Sequence, residues 1–220
     1  MSLLLLLIDE LRGFYKSKVM IFLWIGLPLV SILFRFAYSS TGQTILFTVV
    51  SALLVSSLAG TLASVMLAVS IINEKNRHVY ELFLIRPLKR RNIILAKFFA
   101  VYACIAIAGF LAISLGIAAD YLTRGTLPET VLGDTVQSLS VSLSMMAVSS
   151  AAGVLIGVVS PSVLVGAILV IYGGNQISVL PVLPSVLNVT NPNLFTISLG
   201  ASLCIVLLIL AISVFNRKQF

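Results

Sequence analysis

Charge is scarce in this chain. Only 10% of its 220 residues are Asp, Glu, Lys or Arg, and the acids number seven. There is one histidine, one tryptophan and two cysteines. Soluble domains carry about 25% charged residues, so this composition excludes a soluble globular domain. With 60% of residues hydrophobic and a mean hydropathy of +1.15, the chain reads as a polytopic membrane protein.

Reactive groups are equally sparse. The sequence has no G-x-x-x-x-G-K-[ST] loop, so the chain is not expected to cradle ATP. It has no H-E-x-x-H, no G-x-S-x-G and no paired aspartates inside an apolar run. Its one histidine, His78, sits in a polar loop and reads as solvated or interfacial. No catalytic residue, bound cofactor or metal site is therefore expected, and an enzyme is not. Cys104 and Cys204 fall inside apolar runs and read as small buried hydrophobes rather than a disulfide or metal pair. No Asp, Glu, Lys or His is expected at mid-membrane depth, which argues against a proton- or sodium-coupled carrier. Met1 to Ile8 looks like a signal-peptide core, but it lacks a basic lead and a small-residue cleavage site, and Asp9-Glu10 follow at once. Cleavage is not expected.

What the chain does have is a series of apolar runs. About 20 apolar residues suffice to cross a bilayer. The expected fold is all-α and polytopic, a single transmembrane domain over 1–220. An amphipathic interfacial helix occupies 2–18, with Leu3, Leu4, Leu7, Leu11, Phe14 and Tyr15 on one stripe and Asp9, Glu10, Arg12 and Lys16 off it. Six spans follow at 19–38, 44–72, 93–119, 134–159, 162–180 and 192–215. Pro28 marks a kink, Ser160-Pro161 a break, and Asn191-Pro192 a capped helix start.

The net charge of +7 does not describe a nucleic-acid surface, because the basic residues sit at span ends. With the N-terminus in the cytoplasm, twelve of the fourteen Lys and Arg lie on that side, and only Arg35 and Arg124 lie outside. The excess of basic residues in cytoplasmic loops sets this orientation. The reading is a multi-pass protein of the cell inner (cytoplasmic) membrane with both termini cytoplasmic.

Residues 73–92 are the long polar interruption. Here Val79, Tyr80, Leu82, Phe83, Leu84 and Ile85 form a short amphipathic pattern between charges. Pro87 ends it, since the residue before a proline is pushed out of the α region. We expect a short helix along the cytoplasmic surface. The stretch Glu74-Lys75, Glu81-Leu82-Phe83-Leu84, Pro87, then Arg90-Arg91-Asn92-Ile93-Ile94-Leu95-Ala96-Lys97 resembles the first cytoplasmic loop of ABC-2 type transporter permeases. The spacings between the two glutamates and on to the proline agree; His78 stands where that family usually has glycine.

That resemblance implies the membrane subunit of an ATP-driven ABC exporter. Two such subunits, two copies of this chain on the simplest reading, would form the path. Two copies of a separate ABC ATPase subunit would bind ATP and Mg and press on the elbow helix. It implies coupling roles for Glu74, Arg77, Glu81, Phe83, Arg86, Pro87, Arg90 and Arg91. The size and short outer loops are also similar to the haem-exporter-type permeases. An ATP-independent channel or secondary carrier, or an assembly factor for a membrane complex, are the alternatives.

Two further patterns lie within the spans. Ala52, Ser56, Gly60, Ser64 and Ala68 repeat every four residues, as do Ser149, Gly153 and Gly157. Small residues at that spacing form a ridge that another helix can approach closely. Packing within the chain and a dimer contact both fit. Asn175, Gln176, Ser138 and Ser142 are polar groups inside spans, suited either to interhelical hydrogen bonds or to lining a path.

Overall fold

The computed structural model describes residues 3–38, 47–77, 90–124, 131–186 and 192–217. Among these residues every regular element is helical. The long helices are α1 (Leu3–Tyr15), α2 (Lys18–Tyr38), α3 (Phe47–Asn76), α4 (Arg90–Arg124) and α5 (Val131–Val159). A segmented stretch follows: α6 (Val163–Leu169), a π-helical turn (Val170–Gly174), α7 (Asn175–Ser178), a 3-10 turn (Leu180–Val182) and α8 (Leu183–Val186). The last helix, α9, is Pro192–Arg217. Among the described residues five stretches are long and apolar enough to cross a membrane: Leu53–Asn76, Arg91–Ala118, Thr135–Val159, Val163–Val182 and Pro192–Arg217. The count rises to six if Leu4–Tyr15 and Met20–Val30, bent by 63°, act as one.

Helix ends differ from the apolar boundaries for one reason. Hydropathy marks where lipid ends, not where a helix ends. α3 runs past residue 72 to Asn76, and α4 begins at Arg90 and runs to Arg124, beyond the expected 93–119. No Gly or Pro interrupts these polar extensions, so nothing stops the backbone there. Both ends of the 73–92 elbow are thus helical, and its centre, 78–89, lies outside the described residues. α5 likewise starts at Val131 rather than 134. The expected span 162–180 is not one smooth helix, and helical turns continue through Pro181 to Val186 where a loop was expected.

The break between α1 and α2 is made by Ser17. Its backbone N–H donates to Phe14 O at 3.0 Å, and its Oγ accepts from Met20 N at 3.2 Å, capping α2. The inward face of α1 also differs from the expected stripe. Leu6 and Phe14 are buried, whereas Leu4 and Tyr15 are 67% and 58% exposed. Residues 6, 10 and 14 share one face at four-residue spacing, so Glu10 points inward with them.

The bundle is organised around α5. Its membrane-length stretch is 78% buried, against 56% for α3 and 50% for α4. Gly60 of α3 meets Ser149, Ser64 meets Gly153, and Ala68 meets Gly157. Both partners advance by four residues at each step, so α3 and α5 run parallel. Two parallel spans need a return between them, and α4 supplies it. A Cβ on Gly153 would lie 2.5 Å from the Ser64 carbonyl oxygen and 2.6 Å from its Cα. Only glycine permits that approach. The small-residue ridges at Ser56, Gly60, Ser64 and at Gly153, Gly157 therefore pack on each other inside one chain. Ser56 Oγ also meets Met145 Sδ at 3.5 Å, and Ser149 Oγ meets Ser64 Oγ at 3.4 Å. α9 packs on the same helix: a Cβ on Gly200 would lie 2.7 Å from Ser144 Cβ. α2 is tied to α4 by Trp24 Nε1, which donates to Cys104 O at 3.2 Å.

Candidate functional site

At the end of α3 that carries Glu74, three helices converge on one ammonium. Lys97 lies two turns inside α4, between Ala96 and Phe98, and its side chain is 3% exposed. A lysine so placed needs partners, because desolvating a charge costs several kcal/mol, roughly, unless it is paired and hydrogen-bonded. Lys97 Nζ donates to Glu74 Oε1 at 2.6 Å and pairs with Glu10 Oε1 at 2.8 Å. The Phe14 ring lies 5.9 Å from Nζ, within cation–π range. Ser70 Oγ, one turn before Glu74, donates to the same Oε1 at 3.3 Å. Glu74 Oε2 is buried and has no hydrogen-bond partner among the described residues.

The cluster thus clamps α1, α3 and α4 together. Lys75, beside Glu74, donates from Nζ to Ser160 O at 3.4 Å, adding the α5–α6 break to the same end. Ser162 caps α6 there, its Oγ accepting from Val165 N at 3.4 Å. A cavity of about 530 Å³ lies against the clamp, between α1 and α3.

Of the residues expected to couple to a partner, Glu74 is turned into this clamp. Arg77, just past α3, and Arg91, in the first turn of α4, are exposed. Arg90 opens α4. Glu81, Phe83, Arg86 and Pro87 lie outside the described residues.

The four polar span residues are not gathered into one site. Ser138 and Ser142 are buried within the chain, and Ser142 Oγ donates to Leu139 O at 3.1 Å, one turn back. Ser140 and Ser150 return to their own helix in the same way, a habit of hydroxyls in helix interiors. Ser138 Oγ has no hydrogen-bond partner among the described residues. Asn175 is half-buried, and its carbonyl accepts from Ser178 Oγ at 2.7 Å; Gln176 is exposed. Gly174, next to Asn175, faces Ala152 and Ile156, further along α5 than Ser142.

The sequence marks Lys97 as a topology charge and as the close of the loop motif, not as a buried ion-pair partner, and it puts Glu10 off the packed stripe. The missed signal was local: a lysine flanked by Ala96, Phe98 and Phe99 inside an apolar helix implies an acid nearby.

The architecture defines the class: the described residues are helical, with five or six stretches fit to span a membrane. Comparison of the sequence with protein-family models and with curated proteins finds no match in either. Among the described residues no group of His, Cys, Asp and Glu could hold a metal ion.

Proposed function

We propose that this chain is the membrane permease subunit of an ATP-driven ABC exporter, working as a dimer with a separate ATPase. The observation that carries this reading is the pattern from Glu74 to Lys97, which resembles the coupling loop of ABC-2 permeases. Its first and last residues, 23 positions apart, are ion-paired at 2.6 Å. The loop between them is therefore anchored at both ends to a single clamp, and a push on it moves α3 and α4 as one body. Glu10 brings α1 into that body.

On this reading the chain lies in the inner membrane with both termini cytoplasmic. Two copies enclose the path, and two ATPase copies hold ATP and Mg. Exposed Arg77 and Arg91, with Arg86 and Arg90, face acidic groups of the ATPase or of the lipid. Exposed Gln176 is a better path candidate than the buried Ser138 and Ser142. Glu74 acts by fixing the loop's root, and Glu81, seven residues further along the sequence, meets the ATPase.

The test is Glu81→Ala. The variant is expected to insert, dimerise and bind its ATPase, yet to lose substrate-stimulated ATP hydrolysis in reconstituted complexes. Full stimulation and transport by this variant would sink the coupling role. A second reading, an ATP-independent carrier, is favoured by the buried Lys97 cluster, since carriers use ionisable groups within the membrane. Transport by a preparation free of any ATPase would decide for it.

A further inference from the structure

The cavity between α1 and α3 has two unlike ends. Along α3, Leu62, Val65, Met66 and Val69 line it, positions three and four apart that share one helix face. One turn on, the same face presents Ser70 and then Glu74, with Glu10 and Lys97 beside it. An apolar strip thus leads directly to a charged group. The volume of about 530 Å³ falls within the roughly 300–1,000 Å³ that enclose a drug-sized molecule.

Of the charged residues that line the cavity, Glu10, Glu74 and Lys97, two are acids and one is a base. Lys97 is already engaged by both carboxylates and by the Phe14 ring. Glu74 Oε2, in contrast, is buried without a donor. A buried acceptor left unpaired is unfavourable by about 1–3 kcal/mol, and more when charged. What Glu74 Oε2 lacks among the described residues is a donor; an anion there would meet two carboxylates. We propose that the cavity binds a single-chain cationic amphiphile. Its primary ammonium donates to Glu74 Oε2, and its alkyl chain lies along Leu62, Val65, Met66 and Val69. The site goes beyond the exporter reading and does not depend on ATP coupling, so it stands or falls on the isolated chain.

The test uses the full chain in phosphatidylcholine nanodiscs and dodecylamine carrying a photoreactive diazirine near its chain end. Alcohol and carboxylate probes of the same length are run beside it. The amine is expected to label the 62–70 segment saturably, about ten-fold more than either other probe, as a charge-assisted hydrogen bond to a carboxylate requires. Glu74→Gln is expected to lower amine labelling about ten-fold, to the level of the alcohol. Because that change also loosens the Lys97 clamp, Val69→Phe is the second variant. It fills the apolar end, leaves all three charges in place, and is expected to abolish saturable labelling at wild-type thermal stability. Equal labelling by amine and alcohol overturns the proposal, as does preferential labelling by the carboxylate. Unchanged labelling of Val69→Phe overturns it too. Complete displacement of the amine by added phosphatidylethanolamine would assign the cavity to a bilayer lipid instead.

Discussion

α3 is held in two opposite ways along its length. At Gly60 and Ser64 it closes on α5 because side chains are missing, and the two backbones touch. At Glu74 it closes on α1 and α4 because charges are present. The first contact is mainly close fit of small residues in one register, with the Ser64–Ser149 hydroxyls at 3.4 Å, and at Gly153 it has no room for an added atom. The second is made by long side chains that can re-aim, with the carboxylates 22% and 24% exposed. In lipid, where apolar side chains gain little from meeting each other, close fit and polar pairing are the two forces available. This chain places the rigid one at mid-length and the adaptable one at the end where a loop arrives.

The largest effect is expected at the seam. Gly153→Ala puts a methyl group 2.5 Å from the Ser64 carbonyl, and the obstacle is backbone. Overpacking of that kind should destabilise by about 3 kcal/mol, read as a lower unfolding midpoint in detergent. A wild-type midpoint would mean that α3 and α5 are not in this register.

Next comes the clamp. Lys97→Met leaves Glu10 and Glu74 facing each other without a cation. Breaking a buried pair costs about 3–5 kcal/mol, and the partial exposure of both acids lowers the expectation to about 2 kcal/mol. Adding Glu74→Gln and Glu10→Gln should recover part of this loss. A double-mutant cycle that is additive within about 0.5 kcal/mol would show that Lys97 and Glu74 do not interact.

Gly60→Ala sharpens the contrast within the seam itself. Its new Cβ would lie 3.1 Å from the Ser149 Cβ, a side-chain neighbour rather than backbone. The expected cost is about 1 kcal/mol, relieved by Ser149→Gly. A cost equal to that of Gly153→Ala would contradict the difference between side-chain and backbone contact. Gly173→Ala should do least. A Cβ there has nothing within 4 Å, so the change should stay within about 0.5 kcal/mol. A large change in oligomer size with unchanged stability would reveal a second copy on that face.

The apolar runs as a class, the small-residue ridges and the Ser160-Pro161 break were legible because each is a local pattern of hydropathy or residue size. Whether the ridges at Ser56, Gly60, Ser64 and at Gly153, Gly157 meet each other or a second copy was not legible, since spacing describes one surface and not its partner. Helix ends such as Asn76 and Arg124 were missed because polar residues that leave the membrane can stay helical. The inward turn of Glu10 was missed for a related reason. Amphipathicity assigns charges to the wet face by default, and it takes a cation from another helix, Lys97, to reverse that preference.

The tie between Glu74 and Lys97 spans 23 residues, whereas those between Trp24 and Cys104 and between Ser64 and Ser149 span 80 and 85. During synthesis, then, the helical hairpin of α3 and α4 can close its charge pair as soon as α4 emerges. By then α1 and α2 already share the Tyr15–Trp24 ring contact, and α2 has α3 to pack on. Glu10 gains its Lys97 partner only when α4 is made. Assembly of the bundle follows the order in which partners become available, with the Gly153 seam closing last among these because α5 is the later product.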